Sequence, residues 1–289
     1  MTRNPFRTIA SLSTRLLPTL LVPLLMPLLV PLLSACSSTG VGNPGATTGT
    51  LSLAIVGDEL DADQPTSDEP TSETGNVSDA GASPETVTPL PRGSLERAVL
   101  VLGSVRWLPC DDTAPVITQS GPFIIDLIAG ETRPPLPSID VPEGGLCGFE
   151  APLAPARGSA EILGRSLWFS GTRADGVRFV LFADMRATLR LRAARGQAWG
   201  GDGERALLWA MRPRRWAAAR ELDDAETTAS DGRRTVVIDA DRHPLLFALI
   251  RARLASQSAL FFDRDGNGAL DPSDRSEGDV GTGTTDPED

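Results

Sequence analysis

Residues 166–184 read SLWFSGTRADGVRFVLFAD, two apolar runs on either side of Asp175-Gly176. Asp-Gly between alternating apolar runs is favoured chemistry for a tight β-turn, so the stretch predicts an antiparallel hairpin. The next run, RATLRLRA at 186–193, alternates strictly, with Leu189 and Leu191 on one side and Arg190 and Arg192 on the other. A period of two is that of a strand with one buried face.

The same reading extends in both directions. LERAVLVLGSVRWL at 95–108 is a long strand candidate, and PFIIDLIAG at 122–130 is closed by Gly130 and the Pro134-Pro135 break. LCGFEAPL follows the turn PEGG at 142–145, while RALLWAM and RTVVIDA add two more short strands. Strands of this length, separated by Gly, Pro and Asp, predict a mainly β fold, a β-sandwich-like domain spanning residues 93–242. GTLSLAIVG at 49–57 is a further strand, and its residues leave open whether it joins the main sheet.

The exception to β structure is PLLFALIRARLASQSALFF at 244–262, where Leu246, Leu249, Ile250 and Leu254 recur at helical spacing. It predicts one C-terminal amphipathic helix with Asp241 as N-cap and Pro244 in the first turn. The helix is expected to lead straight into FFDRDGNGALDPSD at 261–274, so that residues 243–275 form one helix-plus-loop unit. An EF-hand-type calcium loop places oxygen ligands at positions 1, 3, 5, 7, 9 and 12, with Gly at 6 for the sharp turn. Counting from Asp263 gives Asp265, Asn267, Ala269 through its carbonyl, Asp271 and Asp274, with Gly268 at the turn and Leu270 at the apolar eighth position. The shorter Asp274 at position 12 resembles dockerin-type calcium loops. A lone loop of this kind implies one weakly held calcium ion, with a dissociation constant on the order of 0.1–1 mM. No second helix is expected after it.

Charge is unevenly placed. The chain carries 27 basic residues, all arginine, and 38 acidic ones. Residues 58–92 hold nine acids and one arginine, and 263–289 hold nine acids and two arginines. The acidic, Pro/Ser/Thr-rich segment 58–92 cannot bury enough apolar surface to offset chain ordering and is expected to be a disordered linker. Residues 276–289, without apolar periodicity, are expected to be a disordered tail. The balance of the rest is near neutral and does not suggest the clustered basic excess of a nucleic-acid footprint, so no nucleic-acid partner is expected.

The N-terminus combines Arg3, Arg7 and Arg15 with an apolar run from Leu16 to Leu33, the layout of a secretory signal peptide at 1–35. Pro18, Pro23, Pro27 and Pro31 disfavour a permanent membrane helix. Leu33-Ser34-Ala35-Cys36 resembles the bacterial lipobox, which implies lipidation of Cys36, a membrane partner through the lipid anchor, and a tether over 36–48. Ser37 after the cysteine resembles the pattern sorted to the outer membrane. Cys110 and Cys147 then remain as an even pair, expected to form a disulfide in an oxidising compartment. The β succession resembles uncharacterised bacterial lipoprotein domains with a transthyretin- or immunoglobulin-like sandwich, a likeness that implies fold and no activity.

No nucleophile elbow, metalloprotease helix or phosphate loop occurs, and His243 is the only histidine. These features predict a non-enzymatic binding or structural module of the cell envelope, with an envelope or extracellular partner. The alternatives are an envelope hydrolase using paired carboxylates and a dockerin-like or glycan-binding adhesion module. The tryptophans Trp107, Trp168, Trp199 and Trp209 are expected to fill the core.

Overall fold

The computed structural model describes residues 49–58, 87–112, 114–158, 162–200, 203–230, 232–276 and 278–287. The expected signal peptide, Cys36, the 36–48 tether and most of the acidic linker lie outside the described residues. Among the described residues, no helix is long and apolar enough to cross a membrane.

The chain is mainly β. Strand β1 (Thr50–Gly57) buries Leu51, Leu53 and Ile55 in alternation. β2 (Leu95–Pro109) is the longest strand, and its partners are β3 (Ile117–Asp126) on one side and two later strands on the other. β4 (Glu131–Arg133) and β5 (Ile139–Asp140) are short, and β6 (Leu146–Pro152) follows the PEGG turn. β7 (Leu167–Thr172) and β8 (Arg178–Ala183) are the expected hairpin, with Val177 N–H bonded to Asp175 Oδ1 at 3.1 Å across the turn. β9 (Ala187–Ala193) buries Ala187, Leu189 and Leu191 and exposes Arg190 and Arg192, matching the strict alternation of its sequence. β10 (Glu204–Met211) leads to a short helix α1 (Ala219–Asp223), then β11 (Thr228–Ser230) and β12 (Arg233–Ile238). Helix α2 (Pro244–Ser256), β13 (Ser258–Phe262), the single turn α3 (Pro272–Arg275) and β14 (Gly281–Pro287) complete the order.

All the strands belong to one mixed sheet whose main path runs β11-β12-β8-β7-β2-β6-β9-β14-β13-β10-β1-β5. Among the described strands, two pairings are parallel, β1 with β10 and β12 with β8. The turning point is in β2, which exchanges β7 for β6 across a register shift around Gly103. The 49–57 strand therefore joins the main sheet, flanked by β10 along its length and by β5 at Thr50 and Leu51.

The inner face encloses an aromatic core. Phe149 lies 5.1 Å from Trp107, 5.3 Å from Trp209 and 6.0 Å from Trp199 by ring centroid. Each of these three indoles has an acceptor: Trp107 donates to Gln119 Oε1, Trp209 to Ser258 Oγ and Trp199 to the Val280 carbonyl. Trp168 is the exception to the expected tryptophan core, half-buried on the outer face and edge-on to Phe182.

Four expectations are corrected. The helix expected over 244–262 ends at Ser256, and Ser258–Phe262 is strand β13 instead. The break falls at the polar triplet Ser256-Gln257-Ser258, which the helical spacing of the leucines before it does not mark. The N-cap position is His243 rather than Asp241, with Pro244 at the first helical position as expected. Within the expected disordered tail, Gly281–Pro287 is strand β14, which fills the gap between β9 and β13. Its two glycines are a packing requirement. A Cβ on Gly281 would stand 2.9 Å from the Trp199 ring, and one on Gly283 would stand 2.7 Å from the Ala255 carbonyl of α2. Finally, Asp58 and residues 87–92, expected within the disordered linker, are ordered parts of the β domain. Asp58 is buried, Val87 and Leu90 are in the core, and the Leu90 N–H donates to the Arg214 carbonyl at 2.8 Å.

Cys110, just past β2, is bonded to Cys147 in β6, as the cysteine pairing predicts. The bridge stands where Pro109 and Leu146 are already paired. It closes 37 residues, worth about 4 kcal/mol in the chain-entropy model.

Candidate metal centre

The loop from Asp263 to Asp274 is entered from β13 rather than from a helix and leaves through α3. Two left-handed glycines, Gly266 (φ 70°) and Gly268 (φ 71°), make its tight coil. A residue with a Cβ is strained in that region, which explains the glycines. The coil turns its backbone amides onto Asp263, whose Oδ1 accepts from Gly266 N–H at 2.8 Å and whose Oδ2 accepts from Gly268 N–H at 2.9 Å.

Of the six expected ligand residues, three converge. Carboxylate oxygens of Asp263, Asp265 and Asp274 all lie within 4.8 Å of one another. Oxygens sharing one calcium ion at about 2.4 Å stand no more than about 5 Å apart, so this spacing fits a hard cation. Asp274 is buried, and its two oxygens accept from Arg264 N–H and Asp271 N–H, each at 3.0 Å.

The other three are placed differently. Asn267 turns its carbonyl oxygen to the Ala269 N–H at 2.6 Å and donates through Nδ2 to Asp265 at 2.7 Å. Asp271 caps α3, accepting from Ser273 N–H at 2.7 Å and Ser273 Oγ at 2.6 Å. Those Ser273 bonds, with Asp274 N–H and Asn267 adding to them, hold the Asp271 carboxyl below its ordinary value. Ala269 is exposed and is tied to the coil by the Asn267 bond. The expectation of no second helix is corrected to a single four-residue turn, which begins inside the loop because Asp271 supplies the cap.

Leu270 explains why the loop lies where it does. It packs on a second, outer-face cluster made by Leu208, Ala210, Ala259 and Phe261, with Ala54 and Val56 at the rim. β10 and β13 are thus buried on both faces, the inner by the aromatic core and the outer by this loop. A groove of about 750 Å³ runs beside it, between Ser52–Ala54 of β1, Glu204–Ala206 of β10 and Phe262–Gly268. The Arg205 guanidinium stands 5.6 Å over the Phe262 ring there.

Comparison with protein-family models, curated proteins and solved structures gave no match.

Sequence reasoning missed Asp58. Its carboxylate has no exposed surface and is held by Arg212 Nε at 3.2 Å and Arg275 Nη2 at 2.6 Å. Burial pushes its pKa up, but the hydrogen bonds and charge of Arg275 and then Arg212 outweigh that and hold it below the ordinary aspartate value. The only available signal was position: Asp58 directly follows a strand, and Arg275 directly follows the twelfth loop position. Asp239 is also lowered, first by the Arg242 N–H, in the turn before α2. The chemistry available at the loop is oxygen-only binding of a hard cation, with no redox-active or nucleophilic group in the set.

Proposed function

We propose that this chain is a lipid-anchored protein of the bacterial envelope, tethered through Cys36, whose β domain is a non-enzymatic binding or structural module clipped by one calcium ion. Asp263, Asp265 and Asp274 are its core ligands. The observation that carries the calcium part is the convergence of those three carboxylates in a loop that also lays Leu270 over the outer-face cluster. Three anions that close repel one another, so a cation would hold the loop shut and keep that cluster covered. The anchor rests on the basic n-region, the apolar run and Leu33-Ser34-Ala35-Cys36, and the Cys110–Cys147 bridge suits an oxidising compartment.

Two experiments test the reading. Labelled fatty acid supplied to expressing bacteria should enter the wild-type chain and not Cys36→Ala; equal labelling of both removes the anchor. Thermal unfolding of residues 37–289 should shift upward in millimolar calcium relative to EDTA, and Asp263→Ala/Asp265→Ala should abolish the shift. An unchanged wild-type melting temperature would remove the clip.

A further inference from the structure

Asp58 ties the exit of the metal loop to the sheet. β1 and β10 run parallel with Gly57 opposite Met211, so Asp58 and Arg212 emerge side by side, and the Asp58 N–H donates to the Met211 carbonyl at 2.6 Å. From the other side comes Arg275, the last residue of α3 and the immediate neighbour of Asp274. Its Nη2 is 2.6 Å from Asp58 Oδ1 and its Nη1 is 3.3 Å from Oδ2, while its guanidinium lies 5.7 Å over the Phe261 ring. One carboxylate thus joins the ends of two strands to the turn that presents Asp274. The two arginines keep about a quarter of their side-chain surface in water, so the excess positive charge is solvated.

We infer that Asp58 is a positioning residue for the metal centre, acting through Arg275 to place Asp274 beside Asp263 and Asp265 before a cation arrives. This rests on the calcium reading above. A helix of four residues does not hold itself together in water, and α3 has two supports: the Asp271 cap at its start and the Asp58–Arg275 pair at its end. With the second support gone, the cation must order the turn as it binds, and that ordering is subtracted from affinity.

Electrostatics alone would have the opposite sign. Replacing Arg275 with a neutral side chain removes a positive charge near the ligands, which by itself should tighten cation binding. Positioning requires that it weaken.

The test uses the full chain in detergent micelles. Calcium binding is followed by titration calorimetry for the wild type, Arg275→Met and Arg275→Lys, and hydrogen exchange is followed in EDTA. The expected result is about tenfold weaker binding in Arg275→Met, in the range seen when the supports of metal ligands are removed, with Arg275→Lys in between. In EDTA, the Gly266 and Gly268 amides should exchange faster in Arg275→Met while β2 amides keep their protection, which separates loss of the loop from loss of the fold. Equal or tighter calcium binding by Arg275→Met, or unchanged loop exchange, overturns the inference. If the wild type binds no calcium, the calcium reading fails separately. The exchange arm then decides alone: lost loop protection upholds Asp58 as the residue that places the loop, and unchanged protection overturns it.

Discussion

The two faces of β10 are buried by different means. Inward, Leu207, Trp209 and Met211 enter the main core, where Trp209 meets Phe149 and donates to Ser258. Outward, Leu208 and Ala210 join Ala259 and Phe261 under a cover whose only apolar member from the loop is the half-buried Leu270. The inner face is closed by the curl of the sheet and is held by many residues from distant strands. The outer face is closed by one loop, and that loop is held by charge. On the proposed reading, a single sheet carries one region held by packing and another that should respond to cations and acid.

The largest effect should come from the inner face. Trp209→Ala removes a fully buried indole and should cost about 3–5 kcal/mol in denaturant unfolding, the range for large aromatic truncations. If it costs no more than an outer-face change, the contrast between the faces fails.

Asp58→Asn comes next. It leaves Arg212 and Arg275 facing a neutral amide in a buried position, and roughly 3 kcal/mol of stability should be lost at neutral pH. Because the folded carboxyl lies below its ordinary value of 3.8, its contribution is complete above that value and disappears as pH falls through the folded pKa. Wild type and Asp58→Asn should therefore converge in stability at low pH. Parallel pH profiles would count against the clamp.

The smallest effect should be Leu270→Ala, about 1 kcal/mol for a half-buried side chain. It should also shrink the calcium-dependent rise in melting temperature, since the loop would then cover less apolar surface. A full rise in this variant would mean that the clip acts somewhere other than the outer-face cluster.

The parts of this architecture that were legible in the sequence are those in which one residue type repeats at the period of its element. The alternation of Leu189 and Leu191 against Arg190 and Arg192 marks β9, Asp175-Gly176 marks the hairpin, and the two cysteines mark the bridge. The oxygen-bearing positions from Asp263 to Asp274 were equally readable as a set. What could not be read was which oxygens turn toward one another, because Asp271 is as good a helix cap as it is a ligand.

Elements whose pattern is imposed from elsewhere in space were hidden. β14 has glycines where an indole and a helix press on its backbone, so it looks like a flexible tail. Asp58 has the composition of the linker that follows it, and its burial depends on a parallel pairing with a strand roughly 150 residues away. The change from α2 to β13 is marked only by the polar triplet Ser256-Gln257-Ser258, and the short apolar run after it has the length of a strand but could equally extend the helix.

The position of β14 also sets an order of events during synthesis. β9 and β13 each have one neighbour in place, β6 and β10, and each waits for the same strand on its other side. Until residues 281–287 have left the ribosome, the middle of the sheet is a slot with two unpaired edges, and the Trp199 N–H has no Val280 carbonyl to meet. Unpaired edges invite pairing with other chains, so the nascent protein is exposed to misassembly until β14 arrives.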